Sequence, residues 1–483
     1  MIKFKKSKQK QVLIGRVAEQ AELRRIGALG ESAILVVYGR RRVGKTELIE
    51  SIYADRNLIK IEGAEGVEPE SQLNLARLQL EEYIQENSFK HSTFSTWLEL
   101  FKFLAPYLEK GKWTLYFEEL QWLAGDKSSF IAEFKIAWDN YLRHNPDLLV
   151  VLCGSSPSFM INEVLKSKAL YNRSQHELHL KPFSLNETSE FIGEGFSLEQ
   201  ALDAHLFVGG IPEYLKYIKQ DKSVFISMCR NSFKENAFFL NEFEKVFTSS
   251  LSNNPHYKEI IEILSLSSSL SRIDLLEKLK IKSGGGISKV LSDLLLCGFI
   301  DRFSPYQLKQ DGKSSQLAIA DNYMQFYFKF IKPRIMDIKR GTFNKEPTQA
   351  VDRSSIDQFL SYSFEKYCRS NSHLIATILG FPSIKYLSGV YYRRGDLDMG
   401  RGYQWDLVFD RSDKVLTLCE IKYSNAPVGM GVIREFEERL EKTPIETRKS
   451  IQRVLISVNG ATEQLVEKSY FDRIITLEDI FKV

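Results

Sequence analysis

The sequence predicts an α/β protein: a parallel sheet buried on both faces, then a helical stretch, a three-helix unit with a hairpin, and a second α/β unit. Three observations carry this. Apolar runs without alternation, Ala33–Tyr38, 113–117 and 148–153, are separated by helix-like stretches, the pattern of strands covered on both faces. A glycine-rich basic turn at 39–46 joins the first run to a helical pattern opening Glu47-Leu48-Ile49-Glu50. From His256 the pattern becomes three short helices and a hairpin, and from Ser354 helices and strands return.

The elements follow in order. Residues 11–30 read as a strand edge and an amphipathic helix, with Ala21, Leu23 and Ile26 near helical spacing. Residues 71–108 read as mostly helical, and 178–180 as a strand leaving through Lys181-Pro182-Phe183. Residues 191–248 read as helical, interrupted at Gly209-Gly210-Ile211-Pro212. Next come helices around Ile260, Ile261 and Leu264, around Leu275, Leu276 and Leu279, and around Ile287, Val290, Leu291, Leu294 and Leu295. Strands Ile300–Phe303 and Gln316–Ile319 flank a polar turn, Gln310-Asp311-Gly312-Lys313. Together these outline a winged helix-turn-helix. The aromatics Tyr323, Phe326, Tyr327, Phe328 and Phe330 read as packing, and the charged stretch 339–353 as a linker. The expected divisions are a core at 11–200, a helical lid at 201–254, the winged unit at 255–335 and a last unit at 354–483.

Composition sets limits. The 483 residues allow two to four domains. Apolar residues at 43% and charged residues at 27% are ordinary for a globular chain, and a net charge of +4 demands no polyanionic partner. Cys153, Cys229, Cys297, Cys368 and Cys419 lack CxxC spacing, as suits reduced thiols, and His176 and His179 lack the neighbours of a zinc site. The basic start at 3–10 has no leader-like apolar segment after it, and no stretch is long enough to cross a bilayer. The expectation is a cytoplasmic protein with no membrane partner.

The turn reads Gly39, Arg40, Arg41, Arg42, Val43, Gly44, Lys45, Thr46, which is GxxxxGK[ST] between a strand and a helix. The glycines let the backbone curl so that amides converge on a phosphate chain, and the helix dipole adds to the field. Lys45 is expected on the β- and γ-phosphates and Thr46 on Mg²⁺. Such chemistry needs carboxylates at the end of a neighbouring strand. Glu118 is expected to face the metal and Glu119 to polarise water. Ser155 or Ser156, ending the third run, could sense the γ-phosphate, and Arg173 could serve as an arginine finger. ATP or ADP is the expected ligand.

With these residues on the page, the chain resembles the archaeal-type ATPases of the AAA+/STAND grouping. The resemblance rests on 39–49, 117–123, 152–156, 171–173, Lys181-Pro182-Phe183-Ser184 and 209–215. It implies an ATPase core, a winged-helix domain and a C-terminal nuclease-like domain. It also implies that Gly210 and Pro212 lie near the adenine and that Gly15 and Arg16 lie by the base. As a finger Arg173 would act within one subunit or, in a homo-oligomer, across the interface; the alternative is a surface salt bridge. The family strand usually ends Asp-Glu, whereas this one ends Glu118-Glu119, one methylene longer; Asn172 stands where Gly is usual.

A second chemistry lies near the end. Strands at 405–410 and 415–421 fold about Asp413, bringing Asp406 opposite Glu420, with Lys422 on the same face. Glu365, on the preceding helix, offers a third acid. Two or three carboxylates for a divalent cation beside an ammonium suit phosphodiester cleavage. With a helix over 432–440, the motif resembles the PD-(D/E)XK nuclease superfamily, which implies DNA as partner. The winged unit offers little for base reading: Ser288, Lys289, Ser292 and Asp293 on its third helix. Lys278, Lys280, Lys282 and Lys313 could touch phosphates. Two functions follow: an ATPase controlling a metal-dependent DNA nuclease, or a nucleotide switch whose C-terminal domain docks without cutting.

Overall fold

The computed structural model describes residues 13–84, 87–90, 92–125, 128–168, 170, 176–251, 254–306, 315–393, 402–445 and 448–483. The basic start, Arg173 and the turn 310–313 with Lys313 lie outside these residues.

Helix α1 (Val17–Gly27) precedes the first sheet. That sheet comprises β1 (Ala33–Tyr38), β2 (Asn57–Glu62), β3 (Trp113–Glu118), β4 (Leu148–Gly154) and β5 (His176–His179), all parallel, in the order β2-β3-β4-β1-β5. Alternate residues of β1 and β4 feed two different cores. Leu35, Val37, Val151 and Cys153 pack on one face, and Ile34, Val36, Val150 and Leu152 on the other. Both faces are covered, so the strands carry no polar alternation.

The sequence reading passes over β2. Asn57-Leu58-Ile59-Lys60-Ile61-Glu62 is an edge strand in which only Ile59 and Ile61 are buried, so its apolar content is too thin to read as a strand.

The helical stretch divides at its caps. Ser184 and Glu187 form a capping box for Leu185–Ile192, and Ser197 and Gln200 form one for Leu198–Val208. Gly209 ends the latter in the left-handed region. At Gly210 a Cβ would overlap the carbonyl of Phe183, whose amide donates to Gly210 at 2.8 Å, so this close approach requires glycine.

Helices His256–Ser265, Arg272–Leu279 and Gly285–Leu296 pack beside an antiparallel sheet of β6 (Leu270–Ser271), β7 (Ile300–Phe303) and β8 (Gln316–Ile319), ordered β6-β8-β7. Asp293, expected on a solvated face, is instead buried. It accepts from Tyr257 Oη at 2.6 Å and Ser158 Oγ at 2.8 Å, tying this unit to the segment after β4. The expected linker is also packed: Ala350 and Val351 are buried in the same core as Val224 and Met228.

The last sheet runs β13 (Arg473–Thr476), β12 (Ser450–Ser457), β11 (Val415–Lys422), β10 (Tyr403–Arg411), β9 (Tyr386–Arg393). β9, β10 and β11 are antiparallel, whereas β11, β12 and β13 are parallel. Trp405, Leu418, Leu455 and Phe436, the last from helix Gly431–Glu441, form its core on one face. Among the described residues no helix is long and apolar enough to cross a membrane.

Candidate nucleotide and C-terminal acidic sites

β1 ends at the turn 39–44, and α2 (Lys45–Ile52) follows. A Cβ at Gly39 would overlap the carbonyl of Leu180, whereas Gly44 has open space before it and φ 91°. Glycine therefore serves close packing at one end of the turn and left-handed backbone at the other. Leu48 is the first residue of α2 whose amide bonds back, to the Gly44 carbonyl at 3.0 Å, so the amides before it and the helix dipole favour an anion. Lys45 is buried, and its Nζ donates to the carbonyls of Gly39 at 2.9 Å and Arg40 at 3.1 Å. Thr46 Oγ1 donates to Glu118 Oε1.

Glu118 ends β3 and is buried; its Oε2 pairs with Lys60 Nζ from β2. Burial alone would lower the Lys60 pKa, but Glu118 and Glu50 raise it overall. Glu119 follows in the left-handed region, φ 51°, and turns the other way. Its Oε2 accepts from Gln121 Nε2 at 2.6 Å and Ser155 Oγ at 2.5 Å. Gln121 Nε2 also donates to Ser155 Oγ at 3.0 Å. Glu119, Gln121 and Ser155 thus form a closed triangle across the ends of β3 and β4. Sequence reasoning missed Gln121 and Lys60. The first lies two residues past the acids, and the second sits on the unrecognised strand.

The loop arginines differ from a simple phosphate cradle. Arg40 pairs with Asp321, with its guanidinium 5.5 Å from the Phe299 ring centre. Arg42 pairs with Glu242 at 2.7 Å and lies 4.8 Å from the Phe238 ring centre. Both acids are buried, and a buried carboxylate without a cation is costly. These side chains therefore face the later units, leaving the backbone to meet phosphate. Arg41 completes the turn, and Val43 is buried, its carbonyl accepting from Arg16 Nη2 at 3.1 Å. Arg16 is itself buried, stacked 4.6 Å over Phe183, and its amide donates to Glu187 Oε1 at 2.6 Å. Pro212, also buried, opens the helix Pro212–Ile218.

The residues fit a nucleotide with Mg²⁺: an open glycine turn, orphan amides, an ammonium within the turn, and hydroxyl and carboxylate oxygens side by side.

The C-terminal acids meet at a cavity of ≈ 700 Å³, whose wall includes Glu365, Asp406, Glu420, Lys422, Glu435 and Arg439. Leu407 pairs with Cys419, which sets the hairpin register that brings Asp406 beside Glu420. Asp406 Oδ2 accepts from the Ile421 amide at 3.0 Å. Glu420 pairs with Lys422 at 2.9 Å and with Arg439 Nη2 at 2.5 Å. Burial raises the pKa of Asp406, Glu420 and Glu365 above the usual carboxylate range. Glu365 pairs with Arg369 at 3.3 Å. Among the described residues no group of three or more His, Cys, Asp and Glu is arranged to hold a metal ion. Mg²⁺ commonly takes one or two carboxylates and keeps its waters, and Asp406 with Glu420 fits that pattern. Arg439, overlooked in the sequence, comes from the helix Gly431–Glu441 and engages one of those two acids.

Comparison with known proteins agrees with the first sheet. Residues 13–218 match the model of an ATPase domain predominantly from Archaea. The uncharacterized protein MJECL04 of Methanocaldococcus jannaschii is 25% identical over 397 residues, covering 81% of this chain and 83% of that protein. The Walker-type ATPase PABY2304 of Pyrococcus abyssi has TM-score 0.51 at 19% identity, covering 67% of this chain and 98% of that one. At that identity the likeness is one of fold. The ORC2 protein of Aeropyrum pernix is more distant, with TM-score 0.45 at 13% identity, covering 71% of this chain and all (100%) of that one.

Proposed function

We propose, from the premise that residues 13–218 form an archaeal-type P-loop ATPase domain, that ATP binding and hydrolysis there control a C-terminal domain that cleaves DNA. In this reading the amides of 39–46 and Lys45 bind the phosphates. Thr46 and Glu118 hold the cation, which when bound neutralises phosphate charge. Glu119 orients the attacking water and accepts its proton, with Ser155 and Gln121 fixing the carboxylate. Arg16 lies by the base with Gly210 and Pro212, and Arg173 serves as a finger, within one subunit or across a homo-oligomer. The unit 255–335 acts as a winged helix that contacts DNA phosphates rather than bases.

The observation that carries the C-terminal half is the convergence of Asp406, Glu420 and Lys422 on one cavity. Asp406 and Glu420 would hold the divalent cation and Lys422 would steady the phosphate. The test is plasmid DNA incubated with the protein, Mg²⁺ or Mn²⁺, and ATP. Cutting is expected, and Asp406→Ala or Lys422→Ala should abolish it while leaving ATP affinity unchanged. Intact DNA under every condition would refute the nuclease.

A second reading has its own support. The Arg439–Glu420 pair places a cation on one of the two metal-facing acids, which favours a nucleotide switch whose C-terminal domain binds DNA or protein without cutting. That reading predicts retained nucleotide, slow turnover and no cleavage.

A further inference from the structure

Lys60 lies on the edge strand β2, in register with Tyr116 of β3, two residues before Glu118. Parallel neighbours offset by two share a face, so Lys60 and Glu118 meet on the side where α2 packs. The ammonium pairs with Glu118 Oε2, lies 3.2 Å from Glu50 Oε1 of α2, and sits 5.6 Å from the Tyr116 ring centre. The other oxygen of the same carboxylate accepts from Thr46. The two oxygens of Glu118 thus have different partners, which fixes the rotation of the group. An ordinary surface pair would leave it free. Here the Glu118 side chain is only 10% exposed and that of Lys60 22%.

We infer that Lys60 is a positioning residue of the ATPase site: it holds Glu118 Oε2 so that Oε1 faces Thr46. The inference rests on the reading of Glu118 as the metal-facing carboxylate. It gives a physical role to the extra methylene of Glu118. A glutamate reaches Thr46 and Lys60 together, and the lysine removes the rotational freedom that the longer side chain brings. A cation here would take a lone pair of the Thr46 hydroxyl, which keeps its hydrogen for Oε1, while Oε2 stays with Lys60. The ammonium also offsets the charge of Glu50 and Glu62, which lies 3.9 Å away, so Glu118 keeps its place among like charges.

The experiment measures, on the full chain by calorimetry, the factor by which Mg²⁺ tightens ATP binding relative to EDTA. Lys60→Met should shrink that factor about five-fold or more while affinity in EDTA stays within about two-fold, and Lys60→Arg should restore most of it. In a Glu118→Asp background the shorter carboxylate no longer reaches the ammonium, so adding Lys60→Met should change the factor by less than about two-fold. An unchanged factor in Lys60→Met overturns the inference. So does a parallel fall of affinity in EDTA, or an equal loss in the Glu118→Asp background. Glu118→Ala separates the two levels. If it abolishes the Mg²⁺ gain while Lys60→Met does not, only the role of Lys60 fails. If it leaves the gain intact, the reading of Glu118 fails as well.

Discussion

Arg40, in the phosphate turn, pairs with Asp321, the residue whose side chain caps the helix Asn322–Phe326. The next residue, Asn322, accepts through Oδ1 from Lys366 Nζ at 2.9 Å. Lys366 follows Glu365 on the helix Arg353–Ser370, and its Nζ also donates to the Ala320 carbonyl at 2.6 Å. The segment 320–325, a helix start, thus touches the turn after β1 on one side and the helix bearing Glu365 on the other. Glu365 in turn lines the C-terminal cavity.

Asp321→Asn tests the first link. Asparagine keeps the cap, which accepts from the Met324 amide at 2.7 Å, but removes the charge. The Arg40 and Asp321 side chains are 11% and 2% exposed, so unpairing the guanidinium should destabilise nucleotide-free protein by about 3 kcal/mol. With ATP bound, phosphate offers Arg40 another anion and the loss should shrink. Thermal melts with and without ATP measure the difference, and equal losses in both would exclude coupling through this pair.

His205 gives a pH dependence. It is half-buried, with Nδ1 3.0 Å from Thr188 Oγ1 and its ring 5.6 Å from that of Tyr367, and desolvation lowers its pKa to about 4. Between there and the ordinary value of 6.5 the unfolded chain holds a proton that the folded chain lacks, so stability falls as pH falls through this window. The full loss is on the order of 3 kcal/mol. Asp203 acts in the opposite sense, because burial raises its pKa to about 6. Urea unfolding at about pH 7 and about pH 5, for wild type and His205→Gln, isolates the histidine. The variant should lose less stability on acidification, and identical losses would contradict the assignment.

Arg439→Met tests the clamp on Glu420. Methionine retains an apolar stem over Trp405, whose ring centre lies 4.9 Å from the guanidinium, while freeing the acid. In a Lys45→Ala background, where the nucleotide site contributes little, Mn²⁺ affinity should rise about ten-fold, equivalent to about 1.4 kcal/mol. Asp406→Asn in that background should remove the binding heat. An affinity unmoved by Arg439→Met would show that the guanidinium does not compete with metal.

Much of this was legible in the chain, for reasons that differ by element. β1, β3 and β4 announce themselves because every side chain enters a core, and the turn at 39–46 because few residue types tolerate its backbone. The hairpin about Asp413 is local, so its register follows from counting. β2 was not legible: half of its residues face solvent or Glu118, and Lys60 reads as a surface charge until β3 is placed beside it. The acids that capture Arg40 and Arg42 lie far along the sequence, Asp321 at a helix N-cap and Glu242 within a helix, and no local pattern encodes their docking. Asp293 misleads for the same reason, since its partners Tyr257 and Ser158 come from other elements.

The most direct measurement is calorimetric titration of ATP with Mg²⁺ into the wild-type chain and into Lys45→Ala. Wild type should bind one nucleotide per chain, and the variant should bind about a hundred-fold more weakly, the loss of an ammonium held against phosphate. Equal affinity in the two proteins, or none in the wild type, would contradict the placement of the phosphates at 39–46.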